Sequence, residues 1–281
     1  MSFSSEVKEN LSKITQFHTD ILRAEFVGYF LSGNMVRKET IFEFVTENEF
    51  NIEHFYKILF HLKVDYEPER KGKSYLTQMQ AKDVERLVQG YENLAGELQK
   101  SVIKGAFLGA GSVNNPEKNY HLEMIFNDEK NCEFVKDLCL AYQINFKKIK
   151  VNDKFQLYLK EGEEISRFLA LIGANKAVLR FEDVRVMKEM KNNVNRRVNC
   201  ETANLNKTVD AALKQIDDIQ FLKKVRKFKQ LPADLQNIAN LRLENPDLSL
   251  KDLGQLIEPQ LGKSAVNRKL KKIHEIAEEL R

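Results

Sequence analysis

Two stretches of this 281-residue chain carry glycine inside otherwise apolar helical patterns, and each constrains the other. The first is Phe26-Val27-Gly28-Tyr29-Phe30-Leu31-Ser32-Gly33-Asn34-Met35-Val36. The second is Ile103-Lys104-Gly105-Ala106-Phe107-Leu108-Gly109-Ala110-Gly111-Ser112-Val113. Gly28, Phe30, Leu31 and Val36 match Gly105, Phe107, Leu108 and Val113. Glycine inside a helix costs about 0.5–1 kcal/mol relative to alanine, so its repeated use needs a compensating contact. Close approach of two helix backbones supplies one. The chain therefore reads as a duplication closed by two glycine-bearing helices, the second ending at Gly111 where a strand begins.

The order of elements supports the duplication. A helix over about residues 5–16 opens with a serine cap and an early acid, and the first glycine helix follows over about 20–32. Residues 40–45 are β-branched and aromatic, as in a strand. Ile52, Phe55, Ile58, Leu59 and Leu62 recur at helical spacing. Residues 63–66 and 74–77 form a hairpin turning through Pro68-Glu69-Arg70-Lys71-Gly72, and Val84, Leu87, Val88 and Tyr91 mark another helix. The second half repeats this with a strand at 120–126, a helix at 133–142, strands at 146–151 and 155–159, and a helix ended by Gly173. Glu43-Phe44-Val45 falls on Glu123-Met124-Ile125, and Asn48-Glu49 on Asp128-Glu129. The offset grows from 77 to 80, which places three extra residues near Asn114-Asn115-Pro116. Each half reads helix, strand pair, helix, strand pair, helix.

From about residue 181 to 230 the chain turns polar and helical. Arg196-Arg197-Val198-Asn199-Cys200-Glu201-Thr202-Ala203-Asn204-Leu205 is rich in asparagine and arginine, and a linker is expected over 193–206. Val209, Leu213, Ile216, Ile219 and Leu222 then form an apolar stripe. Leu231-Pro232-Ala233-Asp234 opens one helix, Ser249 caps a short second, and a third starts at Lys263. Three helices with a tight second turn make a helix-turn-helix unit. Val266, Leu270 and Ile273 would hold its third helix to the core. Ser264, Asn267, Arg268, Lys271 and Lys272 are left outside, where donors meet base edges and phosphates.

The net charge is only +4, so distribution matters more than the total. Residues 223–229 and 263–272 each hold five basic residues and no acid. No apolar stretch approaches the roughly 18–20 residues of a membrane span, and the first residues lack the basic-then-apolar pattern of a signal peptide. Cys132, Cys139 and Cys200 have no CxxC spacing, which reads as free thiols of a cytoplasmic protein. His54 and His61, two turns apart with no completing ligands, read as surface or partly buried helix residues. Neither a metal nor a cofactor is expected.

These residues together resemble the WhiA family of bacterial regulators. The resemblance rests on residues 105–113, His121-Leu122-Glu123, residues 196–205 and Gly262-Lys263-Ser264-Ala265-Val266, and it covers nearly all of the chain. It implies an α+β protein: a duplicated LAGLIDADG-like αββαββα core followed by an all-α helix-turn-helix domain. The expected division is a core domain over 1–192, with repeats over about 5–95 and 96–175 plus a helical extension, then the 193–206 linker and a helix-turn-helix domain over 207–281. It also implies regulation of transcription in cell division, chromosome segregation and, in relatives, sporulation. The expected partner is double-stranded DNA in the nucleoid, with RNA polymerase or other regulators as candidate protein partners and no membrane. The DNA-facing set is Ser249, Lys263, Ser264, Asn267, Arg268, Lys271 and Lys272. A secondary DNA or docking set is Arg196, Arg197, Asn199, Asn204, Lys223, Lys224, Arg226 and Lys227.

Homing endonucleases place a metal-binding acid just before the last glycine of each such motif. The corresponding residues are Gly33 and Ala110, which cannot ligate a metal, so no catalytic residue is expected. Glu43 and Glu123 at equivalent strand positions keep a nuclease reading open. A scaffold of the division apparatus, binding DNA only secondarily, is the other alternative.

Overall fold

The computed structural model describes residues 2–13 and 18–281. Its contacts divide the chain into a unit of Met1–Glu189 and a unit of Met190–Arg281. In the first unit the repeat is literal. After α1 (Phe3–Ser12), the first half runs α2 (Thr19–Leu31), β1 (Met35–Lys38), β2 (Ile41–Thr46), α3 (Glu49–His61), β3 (Tyr66–Lys71), β4 (Ser74–Gln80) and α4 (Ala81–Val88). The second runs α5 (Glu97–Ala110), β5 (Gly111–Val113), β6 (Leu122–Phe126), α6 (Glu129–Ala141), β7 (Lys147–Val151), β8 (Lys154–Leu159) and α7 (Gly162–Leu171). The end expected for the opening helix near residue 16 lies outside the described residues.

The two four-stranded sheets have the same order, β1-β2-β4-β3 and β5-β6-β8-β7. Register is repeated as well: Phe44 pairs with Thr77, and Met124 with Leu157, 80 positions on in both strands. The matched residues Asn48 and Asp128 do the same work, capping α3 and α6 through side-chain oxygens that accept from Asn51 N–H and from Lys130 and Asn131 N–H. The extra residues of the second half fall between Val113 and Leu122, where the first half turns directly from Lys38 to Ile41. One expectation shifts. The hairpin does not turn at Pro68: β3 continues to Lys71, paired with Ser74, and the turn uses Gly72 at φ +62°. β3 is an edge strand, which needs partners on one side only and so tolerates proline.

The glycine helices pair backbone to backbone. A Cβ on Gly28 would sit 2.1 Å from the Val102 carbonyl oxygen, and one on Gly105 would sit 2.0 Å from that of Glu25. Around this seam the buried residues of both halves form one core, with an aromatic group in each half. Tyr29, Phe44 and Phe55 meet with ring centroids 4.6–5.3 Å apart. Phe107 and Phe146 each lie against Phe168, at 5.7 and 5.3 Å. His54 corrects the surface reading. It is 1% exposed, with Nε2 2.7 Å from Glu25 Oε1, and Lys104 Nζ lies 3.1 Å from the same oxygen. His54 shares the buried face of α3 with Asn51, Phe55 and Ile58.

Cys132 and Cys139 are buried on α6, while Cys200 is exposed. Burial pushes the Cys132 thiol up to about 12 and raises that of Cys139 as well, so little reactive thiolate forms there near neutral pH. A chromogenic disulfide reagent should therefore titrate Cys200 alone in the native protein and all three thiols after denaturation. Rapid reaction of all three without denaturant would contradict this burial.

The second unit is helical. The 50-residue helix α8 (Asn175–Lys224) begins before the unit boundary and supplies Ile219 and Leu222 to the second core. Residues 193–206, read as a linker, are helical and lie within it. They contain neither glycine nor proline, and asparagine alone lowers helix propensity only by a fraction of a kcal/mol. Beyond it come α9 (Ala233–Glu244), α10 (Leu250–Gln255) and α11 (Lys263–Glu279). Leu235, Ile238, Leu253, Val266, Leu270 and Ile273 close the core. Gly254 lets the chain return beside α10: a Cβ there would sit 2.0 Å from the Leu261 carbonyl oxygen. Among the described residues no helix is long and apolar enough to cross a membrane.

Candidate nucleic-acid interface

α11 is two-faced because of its spacing. Val266, Leu270, Ile273 and Ala277 are buried at intervals of three and four. Lys263, Ser264, Asn267, Arg268, Lys271 and Lys272 all lie on the exposed side. Lys269 is different: half-buried, it binds Asp234 on α9, and that hydrogen bond holds the Asp234 carboxyl below its usual range. Lys271 sits 3.7 Å from Glu275, a loose and exposed pair that competes weakly with another anion. The result is a helix anchored by one lysine, with the guanidinium, amide, hydroxyl and remaining ammonium groups facing solvent. Donors of these kinds read guanine and adenine edges in a major groove and bind phosphates.

Ser249 stands apart from that face. Its hydroxyl caps α10, accepting from Asp252 N–H and donating to the Asp252 carboxylate at 2.6 Å, so its side chain is already engaged. Arg196, Arg197, Asn199 and Asn204 are exposed along α8. Arg197 bridges to Glu201 at 3.2 Å, and Asn204 donates to Cys200 Sγ at 3.7 Å. Lys223 and Lys224 form the last turn of α8, with Arg226 and Lys227 just past it, all exposed. Lys223 Nζ lies 4.8 Å over the Phe228 ring and 3.4 Å from Asn240 Oδ1, leaving Lys224, Arg226 and Lys227 as the outward cations of that run.

At the far ends of the glycine helices the chemistry is that of caps. Gly33 N–H donates to the Ile125 carbonyl at 2.7 Å. The Leu108 carbonyl accepts from Asn51 Nδ2 at 2.8 Å and Lys8 Nζ at 3.1 Å, and the Gly109 carbonyl from Asn34 Nδ2 at 2.8 Å. Amides and an ammonium thus occupy the place where a hydrolytic metal would need carboxylates. Glu43 and Glu123 lie on different sheets, each engaged by a glutamine. Gln78 donates to Glu43 at 2.9 Å and Gln156 donates to Glu123. Lys38 hydrogen-bonds Glu43 and holds its carboxyl below the usual range.

Sequence reasoning missed one three-residue cluster in the second unit. Asp218, His274 and Glu278 bring potential ligand atoms within 4.8 Å of one another. Arg281 fills the cationic role there, reaching Asp218 at 2.9 Å and also binding Glu278. The group ties the end of α11 to α8. Asp218 and His274 are 56 residues apart, a separation no local pattern reveals.

Paired glycine helices within a duplicated αββαββα domain, followed by a helix-turn-helix unit, define a LAGLIDADG-like protein with an appended helix-turn-helix domain. The sequence matches the family model of the WhiA LAGLIDADG-like domain over residues 99–191 and that of the WhiA C-terminal HTH domain over 194–277. It is similar to the probable cell division protein WhiA of Ruminiclostridium cellulolyticum, at 38% identity across 100% of this chain and 98% of that protein. The corresponding protein of Clostridium tetani is 50% identical over 65% of this chain, and the match spans 57% of its length. The structure is similar to that of full-length DUF199/WhiA from Thermatoga maritima, with a TM-score of 0.67, 26% identity and 99% of each chain covered. The chain belongs to the WhiA family.

Proposed function

We propose that this chain is a sequence-reading DNA-binding regulator of transcription without nuclease activity, acting in cell division and chromosome segregation. The observation that carries this reading is the exposed face of α11, where Ser264, Asn267, Arg268, Lys271 and Lys272 stand together without an acid before Glu275. The naming of relatives as probable cell division proteins supports the cellular context. Gly33 and Ala110, in place of the motif acids, support the absence of cleavage. On this reading residues 1–192 form a domain that retains an endonuclease-like architecture and offers a second DNA or protein-docking surface. Residues 193–206 connect it to a DNA-reading domain over 207–281, and the protein works at the nucleoid.

The test uses the duplex selected by the full chain from a random pool. Arg268→Ala should weaken binding to that duplex by about 1–3 kcal/mol while leaving binding to unrelated DNA nearly unchanged. Lys271→Ala and Lys272→Ala should weaken both alike, and each should reduce the salt slope by about one. Unchanged affinity in the triple variant, measured by fluorescence anisotropy, would sink the assignment of α11.

A second reading is favoured by Val194, Val198, Leu205, Val209 and Leu213, which are 43–63% exposed on α8. They fit a protein-interaction scaffold of the division apparatus with secondary DNA binding. Mapping bound sites across the genome separates the two, since a scaffold yields no recurring sequence motif.

A further inference from the structure

A cavity of about 400 Å³ in the second unit is lined by α8, by the starts of α10 and α11, and by Arg242 of α9. Its wall carries Lys207, Lys251, Lys263 and Arg242 and no carboxylate. Arg242 is 1% exposed. Its Nη1 donates to the carbonyls of Asn245, Pro246 and Leu248 at 3.3, 3.3 and 2.7 Å, while Nε is buried without a hydrogen-bond partner. Burial pushes the guanidinium pKa below its usual value. The three carbonyls satisfy part of the guanidinium, but no carboxylate balances the four cations of this wall, and an anion would.

Two further features define that anion. α11 begins after Gly262 with no side-chain cap; the Ala265 N–H turns back to the Gly262 carbonyl at 2.9 Å, and the positive end of the helix still favours negative charge beside Lys263. Gln215 Oε1, also on the wall, is a buried acceptor without a partner, and a ligand hydroxyl would satisfy it. Arginine and lysine with helix N–H groups are the donors that hold phosphate. The volume lies in the range of small-molecule sites, roughly 300–1,000 Å³.

We propose that this cavity binds a small phosphorylated molecule, its phosphate held by Lys207, Lys251, Lys263 and Arg242 and a hydroxyl donated to Gln215. A duplex backbone offers the same phosphate chemistry, and the titrations below distinguish the two sources. The cavity shares Lys263 and Ser249 with the DNA-facing set, so the test is placed on Lys207 and Lys251, which lie outside that set.

The experiment is calorimetric titration of the full chain, in phosphate-free buffer, with inorganic phosphate and with ribose 5-phosphate. Both should bind saturably at one site. The double variant Lys207→Gln/Lys251→Gln changes two exposed side chains, and circular dichroism checks that it is folded. It should lower both affinities about tenfold or more. Gln215→Leu should weaken ribose 5-phosphate and spare inorganic phosphate, whereas Arg268→Ala should affect neither. The proposal is overturned by non-saturable heats, or by unchanged affinity in the double variant. It is overturned equally if that variant loses DNA affinity while free phosphate shows no saturable binding, which would make the lysines contacts for the duplex backbone. Ribose 5-phosphate binding that ignores Gln215→Leu would remove the hydroxyl contact and with it the sugar-phosphate class.

Discussion

Gly105→Ala is expected to destabilise the first unit by about 3 kcal/mol or more, at the upper end of overpacking effects. The added methyl would meet the carbonyl oxygen of Glu25 at 2.0 Å and the Gly28 Cα at 3.1 Å. Both are backbone atoms of a facing helix, so no rotamer change relieves the clash, and the helices must separate. Separation in turn strips contact from Phe26, Phe107 and the other residues buried against the seam. Urea unfolding of purified protein measures the loss, and recovery mainly in the insoluble fraction would express the same effect. Gly72→Ala is the control. Nothing lies within 4 Å of its added methyl, and only its φ of +62° resists the side chain, so the cost should be near 1 kcal/mol. Equal stability of wild type and Gly105→Ala would refute the close approach.

The second large effect is expected at Glu25, a residue of α2 that is only 2% exposed. Burial on its own would raise the Glu25 pKa. The His54 hydrogen bond and the nearby Lys104 outweigh it, and the carboxyl is held below its usual range. Glu25→Ala leaves His54 and Lys104 facing one another without their shared acceptor. Loss of one partner of a buried ionic cluster costs about 3–5 kcal/mol. The pH dependence follows in sign. A carboxyl with a depressed folded-state pKa contributes stability that is fully present above the unfolded value. That contribution fades as pH falls through the folded value. The difference in unfolding free energy between wild type and Glu25→Ala should therefore be constant near neutrality and shrink below the ordinary carboxylate range. A difference independent of pH down to the acid transition would count against an ionised Glu25.

The parts legible in the sequence were those with a local cost or a local period. Glycine inside a helix demands a reason, and Gly28 and Gly105 supplied the duplication and the paired helices at once. The third helix of the C-terminal unit was readable because Val266, Leu270 and Ile273 keep a strict helical spacing while the basic and amide residues between them do not interrupt it. Long-range pairings left no such trace. Glu25 reaches His54 and Lys104 across 29 and 79 residues, and the histidine looked like any other on an amphipathic helix. Arg242 sits between Leu241 and Leu243 in sequence, where an arginine reads as the exposed side of a helix rather than the floor of a cavity. Polar composition over residues 193–206 signals the exposure they have, but it does not reveal that they lie within a single 50-residue helix.

The ionic cluster beneath the glycine seam also makes the two halves unlike partners. Where one half brings Glu25 and His54, the matched positions of the other hold Val102 and Phe134. Where the second half brings Lys104, the first holds Val27. Two copies of the first half, joined by the same crossing, would set each Glu25 against a valine. Two copies of the second would bury a pair of ammonium groups with no carboxylate. The joint is keyed, like a plug and socket, so neither half can substitute for the other, and the single chain holds the one combination in which the buried charges meet.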